Sequence, residues 1–457
     1  MENGAYLIST VLTLMVVSYV GINSSKKVKN SKDFSIGGRN FSSSKVAASI
    51  IGTLVGGAST IGTAQAAFVS GANGMWFTLG ASLGCLFLGL FLAKPLRDAN
   101  IYTVPEYMIK YYGNAARTAS SIISSIAIFV HITGQVLAAV AIFTTLFLIG
   151  ETVAVFITVL LIISYIFFGG FLGSSLVGSI KTVLLYLTLS ISAFIVLKGF
   201  NGFGGLVATF PRDPWFNLFS EGVSTALAQG FALVIGVCST QTYLQAIFSG
   251  RTAQESRKGA FLSALLIPPI GVMSTLTGLF MRANYPEIIS KQALPLFVIN
   301  YLNPAIGGVV IGTLIISVVA TGAGLTLGIS TMFSRDIYKT LINKNATDKQ
   351  ELLSLRLAVL GVLLLTTLLV LFNLDSLILQ WSFLSMTLRG TVVFMPLVTI
   401  LILKDKTPRK AGLISMIVAP LVTILLSVLK LTTIDPLYIG MGISTLIIAG
   451  YYFTNKK

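Results

Sequence analysis

The sequence predicts an all-α integral membrane protein of about thirteen transmembrane helices, arranged as two inverted five-helix repeats with flanking helices. Three observations lead to this fold class: an apolar composition, apolar runs that recur along the whole chain, and loops that alternate in charge. Of the 457 residues, 54% are hydrophobic and only 10% are charged, whereas soluble proteins carry about 25% charged residues. Such a chain has too little polar surface for a water-facing exterior.

The apolar runs are long enough to cross a bilayer, which takes roughly 20 helical residues. Thirteen runs are predicted, at about 4–22, 45–69, 75–93, 118–149, 152–171, 177–200, 223–248, 259–281, 306–333, 355–373, 376–403, 411–429 and 435–453. The first has no basic segment before it and no small-residue cleavage site after it. It is therefore predicted to be a retained span rather than a signal peptide.

Charge in the loops predicts the orientation. The loops after the odd-numbered runs, with the adjoining ends of the runs and the C-terminal tail, hold 25 of the 31 Lys and Arg residues, whereas the acidic residues divide eight against seven. A Lys/Arg bias without an acidic bias follows the positive-inside rule. The N-terminus is therefore predicted outside and the C-terminus in the cytoplasm of a plasma-membrane protein. The net charge of +16 then reflects topology and attraction to membrane lipid, not a nucleic-acid partner.

The order of the spans predicts the inverted repeat. The second run enters the membrane from inside and the seventh from outside, so a repeated five-helix unit takes opposite orientations, as in many secondary transporters. The predicted organisation is an N-terminal helix and cytoplasmic linker (1–44), a first repeat (45–200), an extracellular loop (201–222), a second repeat (223–403) and two C-terminal helices (404–457). Nothing in it indicates an obligate protein partner.

Two polar stretches interrupt the apolar runs. The first, Gly56–Thr63, holds three glycines and three hydroxyl residues, which makes a poor continuous helix. It predicts either close helix packing or a broken helix whose freed carbonyl groups line a cavity. The second is the pair Ser330 and Thr331 near the end of the ninth run. Their hydroxyls either bond back to their own helix or bind a ligand.

Four short motifs occur in order on the predicted cytoplasmic side or beside it. They are DFSIGGR (33–39), TVPEY (103–107), a stretch from Gln241 to Gly259, and STMFSRDIYK (330–339). Together they resemble the sodium:solute symporter family. The resemblance implies an inverted-repeat fold like that of the bacterial leucine transporter, and a symporter of small organic solutes that uses Na⁺ as its coupling ion.

The resemblance also implies a sodium site between the broken helix and the ninth run. Hard cations prefer oxygen ligands, and neutral oxygen groups would bind the ion without a buried carboxylate. The implied ligands are the carbonyl groups of Ala58, Ile61 and Leu327 and the hydroxyls of Ser330 and Thr331.

Five polar side chains are candidates for binding the solute. Thr60 and Gln65 lie beside the predicted sodium site, while His131 and Gln135 share one helix face at i, i+4 spacing. Arg389 lies within an apolar run, where an arginine is costly and indicates function. Each has a structural alternative: Thr60 and Gln65 would bind freed backbone groups, His131 would form an interhelical bond, and Arg389 would bind carbonyl groups.

The resemblance bears on the solute as well. Sugar-carrying members place Asn, Tyr and Trp where this chain has Leu233, Gly236 and Val237, which argues against a sugar. A small, partly apolar or carboxylate-bearing solute, such as an amino acid or a monocarboxylate, fits better.

A departure from the family occurs on the sixth run. Gly178 stands where many members have Asp, and Lys181 where most have Gln; the missing Asp predicts one Na⁺ per cycle. Lys181 has two interpretations. It snorkels to the inner interface, the interpretation preferred because Ser330 and Thr331 are retained. Alternatively, its ammonium takes the place of the cation, which would make the carrier proton-coupled or independent of sodium.

Other classes of protein fit less well. A membrane-embedded sensor would need a longer loop or tail than the chain offers. An enzyme is not predicted, because the chain has one histidine, no deep pair of acidic residues and no Cys/His metal spacing. Both cysteines, Cys85 and Cys238, lie in apolar runs.

Overall fold

A computed structural model of the chain describes residues 2–25, 36–429 and 431–454. These residues form helices, with one isolated parallel β-bridge between Phe41 and Gly250. The helices are α1 Glu2–Ser25, α2 Ser43–Leu54, α3 Thr63–Ser70, α4 Trp76–Phe87, α5 Ala93–Asp98, α6 Val104–Tyr112, α7 Asn114–Phe147, α8 Glu151–Gly199, α9 Phe203–Thr209, α10 Arg212–Trp215, α11 Val223–Ser239, α12 Gln241–Ser249, α13 Ala253–Leu266, α14 Pro268–Asn284, α15 Ala293–Tyr301, α16 Pro304–Met332, α17 Asp348–Leu371, α18 Ile378–Leu403, α19 Arg409–Leu429 and α20 Pro436–Thr454. Short 3₁₀ or π turns cover Gly37–Arg39, Ala58–Gly62, Gly71–Met75, Leu88–Leu92, Ser290–Gln292, Phe333–Ile342 and Lys404–Lys406.

The chain is an all-helical membrane protein. Ten helical stretches of the described residues are long and apolar enough to cross a membrane, and eleven if the bent pair α11 and α12 counts as one span. This number is lower than the thirteen predicted spans, partly because one stretch joins two predicted runs. Residues 58–98 count as a single stretch of 41 residues.

Helix α8 joins the fifth and sixth predicted runs. A straight helix would separate Ile162 from Lys181 by about 28 Å, at 1.5 Å per residue. Yet Ile162 packs against Gly322 and Lys181 bonds to Thr321, which are adjacent residues of α16. Helix α8 is therefore bent between its halves 151–166 and 175–199, and both halves contact the same part of α16.

Helices α7 and α16 form the centre of the molecule. Nearly every residue of α16 from Val310 to Met332 is buried, as are most residues of α7 from Ala127 to Phe143. Helix α16 packs against α1, α2, α7 and α8, and α7 also packs against α18. Polar side chains on these two central helices are thus enclosed by protein, where a buried polar group needs a partner.

Two opposite faces of the helix bundle are named after the residues Asp336 and Glu221. The Asp336 face holds the turn at Gly37–Arg39, the start of α6 and the turn Phe333–Ile342, in which Asp336 pairs with Arg117 of α7. The Glu221 face holds the end of α3, the loop before α11, and Lys291.

Candidate functional site: an oxygen cage and a buried arginine

The backbone leaves helical geometry inside the bundle where α2 ends. Val55 has ψ of 101°, and the chain resumes as a π turn at Ala58. The last carbonyl groups of a helix lack partners within it. Two hydroxyls of α16 act as hydrogen-bond partners here: Ser317 Oγ and Thr321 Oγ1 donate to the carbonyl oxygen of Val55 at 3.3 and 3.2 Å.

The ammonium of Lys181 lies at this helix break. Its Nζ donates to the carbonyl oxygens of Gly52 at 2.8 Å and Ser317 at 3.0 Å, and to Thr321 Oγ1 at 2.9 Å. The three acceptors match the three N–H donors of an ammonium. Gly52, Val55, Ser317 and Thr321 are called the oxygen cage here. The preference for snorkelling is therefore wrong, because Lys181 is fully buried and points into the bundle.

Gly178 allows Lys181 to reach the cage. A Cβ built on Gly178 would lie 2.5 Å from the carbonyl oxygen of Ala48, and one on Gly52 would lie 2.8 Å from the Gly178 Cα. The two backbones thus touch at a glycine–glycine contact, one turn before Lys181. A side chain at position 178, such as the Asp of many relatives, does not fit this packing.

The structure does not bring together the five predicted sodium ligands. Ser330 and Thr331 bond back to the carbonyl of Leu327, at 2.9 and 2.8 Å. The break beside Val55 meets α16 at Thr321, so Ser330 lies about 14 Å further along that helix, away from Ala58. The carbonyl of Ala58 accepts a bond from Thr63 at 3.0 Å.

The physical reason for this error is the register between two antiparallel helices. Helix α16 carries several hydroxyls, and the pair at 330–331 was placed opposite the break on resemblance alone. Docking instead sets Gly324 against Thr53, which puts Ser317 and Thr321 at the break. The signal that the sequence did offer is the i, i+4 spacing of these two residues, which places both on one face of α16.

A second helix break lies between α11 and α12, which meet at an angle of 49°. Thr240 joins them with ψ of 119°. The guanidinium of Arg389 lies beside this break, fully buried. It donates to Thr240 Oγ1 at 2.8 Å, to the carbonyl of Ser385 at 3.1 Å, and contacts His131 Nδ1 at 2.6 Å. Carbonyl bonding, the structural alternative for Arg389, thus accounts for one of its contacts.

His131 and Gln135 connect the two breaks from α7. Gln135 Oε1 accepts the backbone N–H of Gly57 at 2.8 Å, at the first break, while His131 contacts Arg389 at the second. Within the described part of the chain, His131 Nε2 and Gln135 Nε2 are buried without a hydrogen-bond partner. One turn of α7 therefore presents two spare polar atoms between the breaks.

A cavity opens toward the Glu221 face beside this cluster. It has a volume of about 210 Å³. Polar residues line much of it: Gln65, Asn73, Glu221, Gln229 and Gln380. Phe383 also lines it and packs edge-on against Phe77, with ring centroids 5.7 Å apart; Phe77 in turn lies 6.3 Å from the His131 ring. Two aromatic rings thus separate the cavity from the Arg389 cluster.

The other two candidates satisfy backbone groups. Gln65 Oε1 accepts the N–H of Ile378 at 3.2 Å, and its Nε2 lies 3.5 Å from Ser290 Oγ. Thr60 donates to the carbonyl of Gly56 at 2.9 Å, four residues back in its own segment. Of the two, Gln65 also lines the cavity, whereas Thr60 is fully buried.

The motifs that carried the resemblance meet at the Asp336 face. Asp336 Oδ1 accepts bonds from Arg117 Nε at 2.7 Å and Thr103 Oγ1 at 3.0 Å, and Gln241 bonds to the backbone on both sides of Thr103. Arg39 lies over the Tyr102 ring, and burial lowers the pKa of its guanidinium. Asp33, Phe34 and Ser35 of the first motif lie outside the described residues.

This arrangement defines a class of protein. Two helices broken inside the bundle, a buried polar cluster between them and a cavity leading toward it are the features of a membrane transporter. In the part of the chain that the structure describes, no three His, Cys, Asp or Glu residues are grouped to hold a metal ion.

Comparison with known proteins gives the family. The family model of the sodium:solute symporter family matches residues 34–419, so the chain belongs to that family. Its structure is similar to that of a Na⁺-coupled sialic acid symporter solved in a substrate-bound, outward-open state, with a TM-score of 0.83, 16% identity, and coverage of 98% of this chain and 97% of that one. It is also similar to MhsT in complex with L-phenylalanine, with a TM-score of 0.57, 13% identity, and coverage of 85% and 98%. The resemblance predicted from the four motifs is therefore confirmed.

Proposed function

We propose that this chain imports a small organic solute with a carboxylate group across the plasma membrane, driven by a cation gradient. The observation that carries the proposal is the buried guanidinium of Arg389. The contacts of Arg389 described above are all with neutral groups, and none of the ion pairs among the described residues includes it. A buried charge without a counter-charge is unfavourable, and a solute carboxylate would supply one.

The neighbours of Arg389 favour the same ligand. Because the guanidinium only donates hydrogen bonds, His131 Nδ1 must accept, and in a neutral ring the hydrogen then resides on Nε2. Among the described residues, His131 Nε2 and Gln135 Nε2 are both donors without a partner. A solute carboxylate beside this turn of α7 would accept from these donors and supply the counter-charge for Arg389, and charge-assisted bonds of this kind are the stronger ones.

The cavity on the Glu221 face provides the route inward. Phe77 and Phe383 lie between that cavity and His131, so their rings would have to move for the solute to pass. We infer that they form the gate on this side. The predicted orientation makes the Glu221 face extracellular.

The proposed architecture remains thirteen spans with two inverted five-helix repeats. The bend in α8, with each half in contact with α16, supports counting that helix as two spans, and the bent pair α11 and α12 supports counting those helices as one. The two breaks, at the first helix of each proposed repeat, occupy corresponding positions, as an inverted repeat requires.

The coupling ion has two candidates. Family membership and the Na⁺-coupled structural neighbour support sodium. The position of the Lys181 ammonium in the oxygen cage favours the second candidate, a proton.

The test is binding of matched pairs of solutes. Amino acids and monocarboxylates would be compared with their amides, by thermal stabilisation of the purified protein and by uptake into proteoliposomes. We expect acids to bind and amides to bind at least 10-fold more weakly, since one charged hydrogen bond contributes about 1.5–3 kcal/mol. Equal binding of acid and amide would contradict the proposal.

Arg389→Gln is expected to abolish uptake of the acid. Arg389→Lys should restore little of it, because the planar fork of donors is lost. Arg409→Gln, at the exposed start of α19, is the matched control and should transport normally. If Arg389→Gln keeps its affinity for the acid and only lowers the melting temperature, Arg389 has a structural role alone.

A further inference from the structure

We propose that the Lys181 ammonium is the resident cation of the oxygen cage, and that this transporter therefore couples solute movement to a proton rather than to sodium. The inference rests on the proposed function, solute transport driven by a cation gradient. It goes further because it assigns the coupling ion from residues of this chain.

The first argument is the completeness of the cage. Gly52 O, Ser317 O and Thr321 Oγ1 lie 2.8–3.0 Å from Lys181 Nζ, which is ordinary hydrogen-bond length. All three N–H groups of the ammonium are used. A sodium ion would need the same oxygens, and two positive charges in one cage repel each other. The described structure thus offers sodium no free set of ligands at this break.

The second argument is the charge around the cage. Its four residues are neutral, and the single positive charge that it holds belongs to the chain itself. Because the lysine is covalently attached, it cannot be exchanged for an ion from solution. The remaining way for this site to exchange a positive charge with solution is to release and rebind a proton.

Other charged and titratable groups on the packed elements are directed elsewhere. Among the described residues, Lys45 on α2 is exposed, while Arg117 on α7 pairs with Asp336. His131 on α7 bonds to Arg389. On α8 itself, Tyr165 lines an apolar cavity with Ile315 and Val319.

Groups on the other neighbouring helices lie near the helix ends. Tyr6 of α1 bonds to carbonyls at the end of α15, and Tyr186 of α8 bonds to Leu266. Arg282 of α14 stacks on Phe68 and Trp215. On α17, Glu351 pairs with Arg335 and Lys339. Proton exchange at the cage therefore involves Lys181 and water.

Proton loss would change how the helices are joined. The ammonium ties the end of α2, through Gly52, to Ser317 and Thr321 of α16. A neutral amine has two N–H groups for the same three acceptors, so one acceptor loses its bond. In the proposed cycle, Lys181–NH₃⁺ releases one H⁺ to water on the inner side, becomes Lys181–NH₂, and takes one H⁺ from water on the outer side. Each cycle then moves one proton with the solute.

The first experiment needs no solute. The melting temperature of the purified protein would be measured in sodium chloride and in choline chloride at equal ionic strength. We expect the melting temperature of the wild type to show no sodium-specific shift. We expect the melting temperature of Lys181→Ala, in which the cage oxygens are free, to rise by several degrees in sodium. Lys198→Ala, an exposed lysine on the same helix, is the control and should behave as the wild type.

Two results would overturn the inference. Sodium-specific stabilisation of the wild type would show that sodium has its own site. Lack of a shift in both the wild type and a folded Lys181→Ala variant would show that the cage does not bind cations. If Lys181→Ala does not fold, the melting temperatures of the wild type in the two salts and the uptake experiment still test the inference.

The second experiment separates this inference from the proposed function. Proteoliposomes containing the wild type would be assayed with labelled amino acids and monocarboxylates for exchange without a gradient, and for uptake under an inward proton or sodium gradient. We expect exchange of at least one solute, and uptake driven by the proton gradient at zero sodium. Exchange with uptake driven by sodium alone would overturn only the proton coupling. Absence of exchange for every solute would overturn the proposed function itself.

Discussion

At the scale of single residues, the positions of His131 and Gln135 bear most directly on the proposed binding site. They lie one turn apart on α7: Gln135 Oε1 accepts the backbone N–H of Gly57 at the first break, and His131 Nδ1 contacts Arg389 beside the second. Among the described residues, the Nε2 atom of each has no hydrogen-bond partner. A buried polar group left without a partner costs about 1–3 kcal/mol. Two such groups beside a buried guanidinium are readily explained by a bound ligand that completes their hydrogen bonds.

Gly178 permits a prediction at the same scale. Gly178→Ala places a methyl group within 2.5 Å of the Ala48 carbonyl oxygen, so α2 and α8 must separate. Overpacking of this kind costs about 1–3 kcal/mol, and it also moves Lys181 from the cage. We expect a melting temperature several degrees lower and reduced uptake.

Gly361→Ala is the control for this variant. Nothing lies within 4 Å of a Cβ at Gly361, and alanine is the better helix former, so this change should leave stability equal or raised. Equal melting temperatures for Gly178→Ala and Gly361→Ala would contradict the close contact between α2 and α8.

At the scale of helices, the Asp336 face is held by a network of charged side chains. Asp336 is fully buried and pairs with Arg117, which ties the start of α7 to the turn after α16. Arg335 and Lys339 of that turn pair with Glu351 of α17, at 3.2 and 3.0 Å. The turn is therefore connected to two neighbouring helices.

Asp336→Asn tests this network. The change leaves Arg117 without its counter-charge, and breaking a buried pair is strongly destabilising, although the partial exposure of Arg117 reduces the effect. We expect a melting temperature several degrees lower. Asp375→Asn, at an exposed position, should have no effect, and a similar result for both variants would show that the ion pair contributes no stability.

The helices also show how far the sequence can predict the site. The glycine and hydroxyl content of Gly56–Thr63 correctly indicated a break, because that signal is local. The partner of the break was placed wrongly at Ser330 and Thr331, because the register of α2 against α16 depends on contacts between residues more than 260 positions apart, such as Val55 and Ser317. The burial of Lys181 was missed for the same reason. Its reach depends on the Gly52–Gly178 contact, which no local pattern reveals.

At the scale of the whole molecule, the two faces differ in how they are closed. Three ion pairs, Arg117–Asp336, Arg335–Glu351 and Lys339–Glu351, join elements of the Asp336 face. On the Glu221 face, Lys291 pairs with Glu151, and a cavity enters as far as two aromatic rings. This asymmetry matches a transporter whose binding site opens to one side at a time. The distribution of Lys and Arg in the sequence predicts that the Glu221 face is extracellular.

Labelling tests that orientation. A cysteine placed in the 404–410 loop is expected to react with an impermeant reagent only from the cytoplasmic side, and one placed beside Asp213 only from outside. The measurement is labelling of intact cells against inverted membrane vesicles, in a variant without Cys85 and Cys238. Reaction of both positions from the same side would contradict the predicted topology and the inverted repeat.

The accumulation ratio of a bound carboxylate solute in proteoliposomes tests the central claim, cation-driven import, most directly. With an inward cation gradient, the internal concentration should rise above the external one and should return to equality when ionophores collapse the gradient. Arg389→Gln vesicles should not accumulate the solute. Internal and external concentrations that stay equal under both proton and sodium gradients, with functional protein present, would contradict the account.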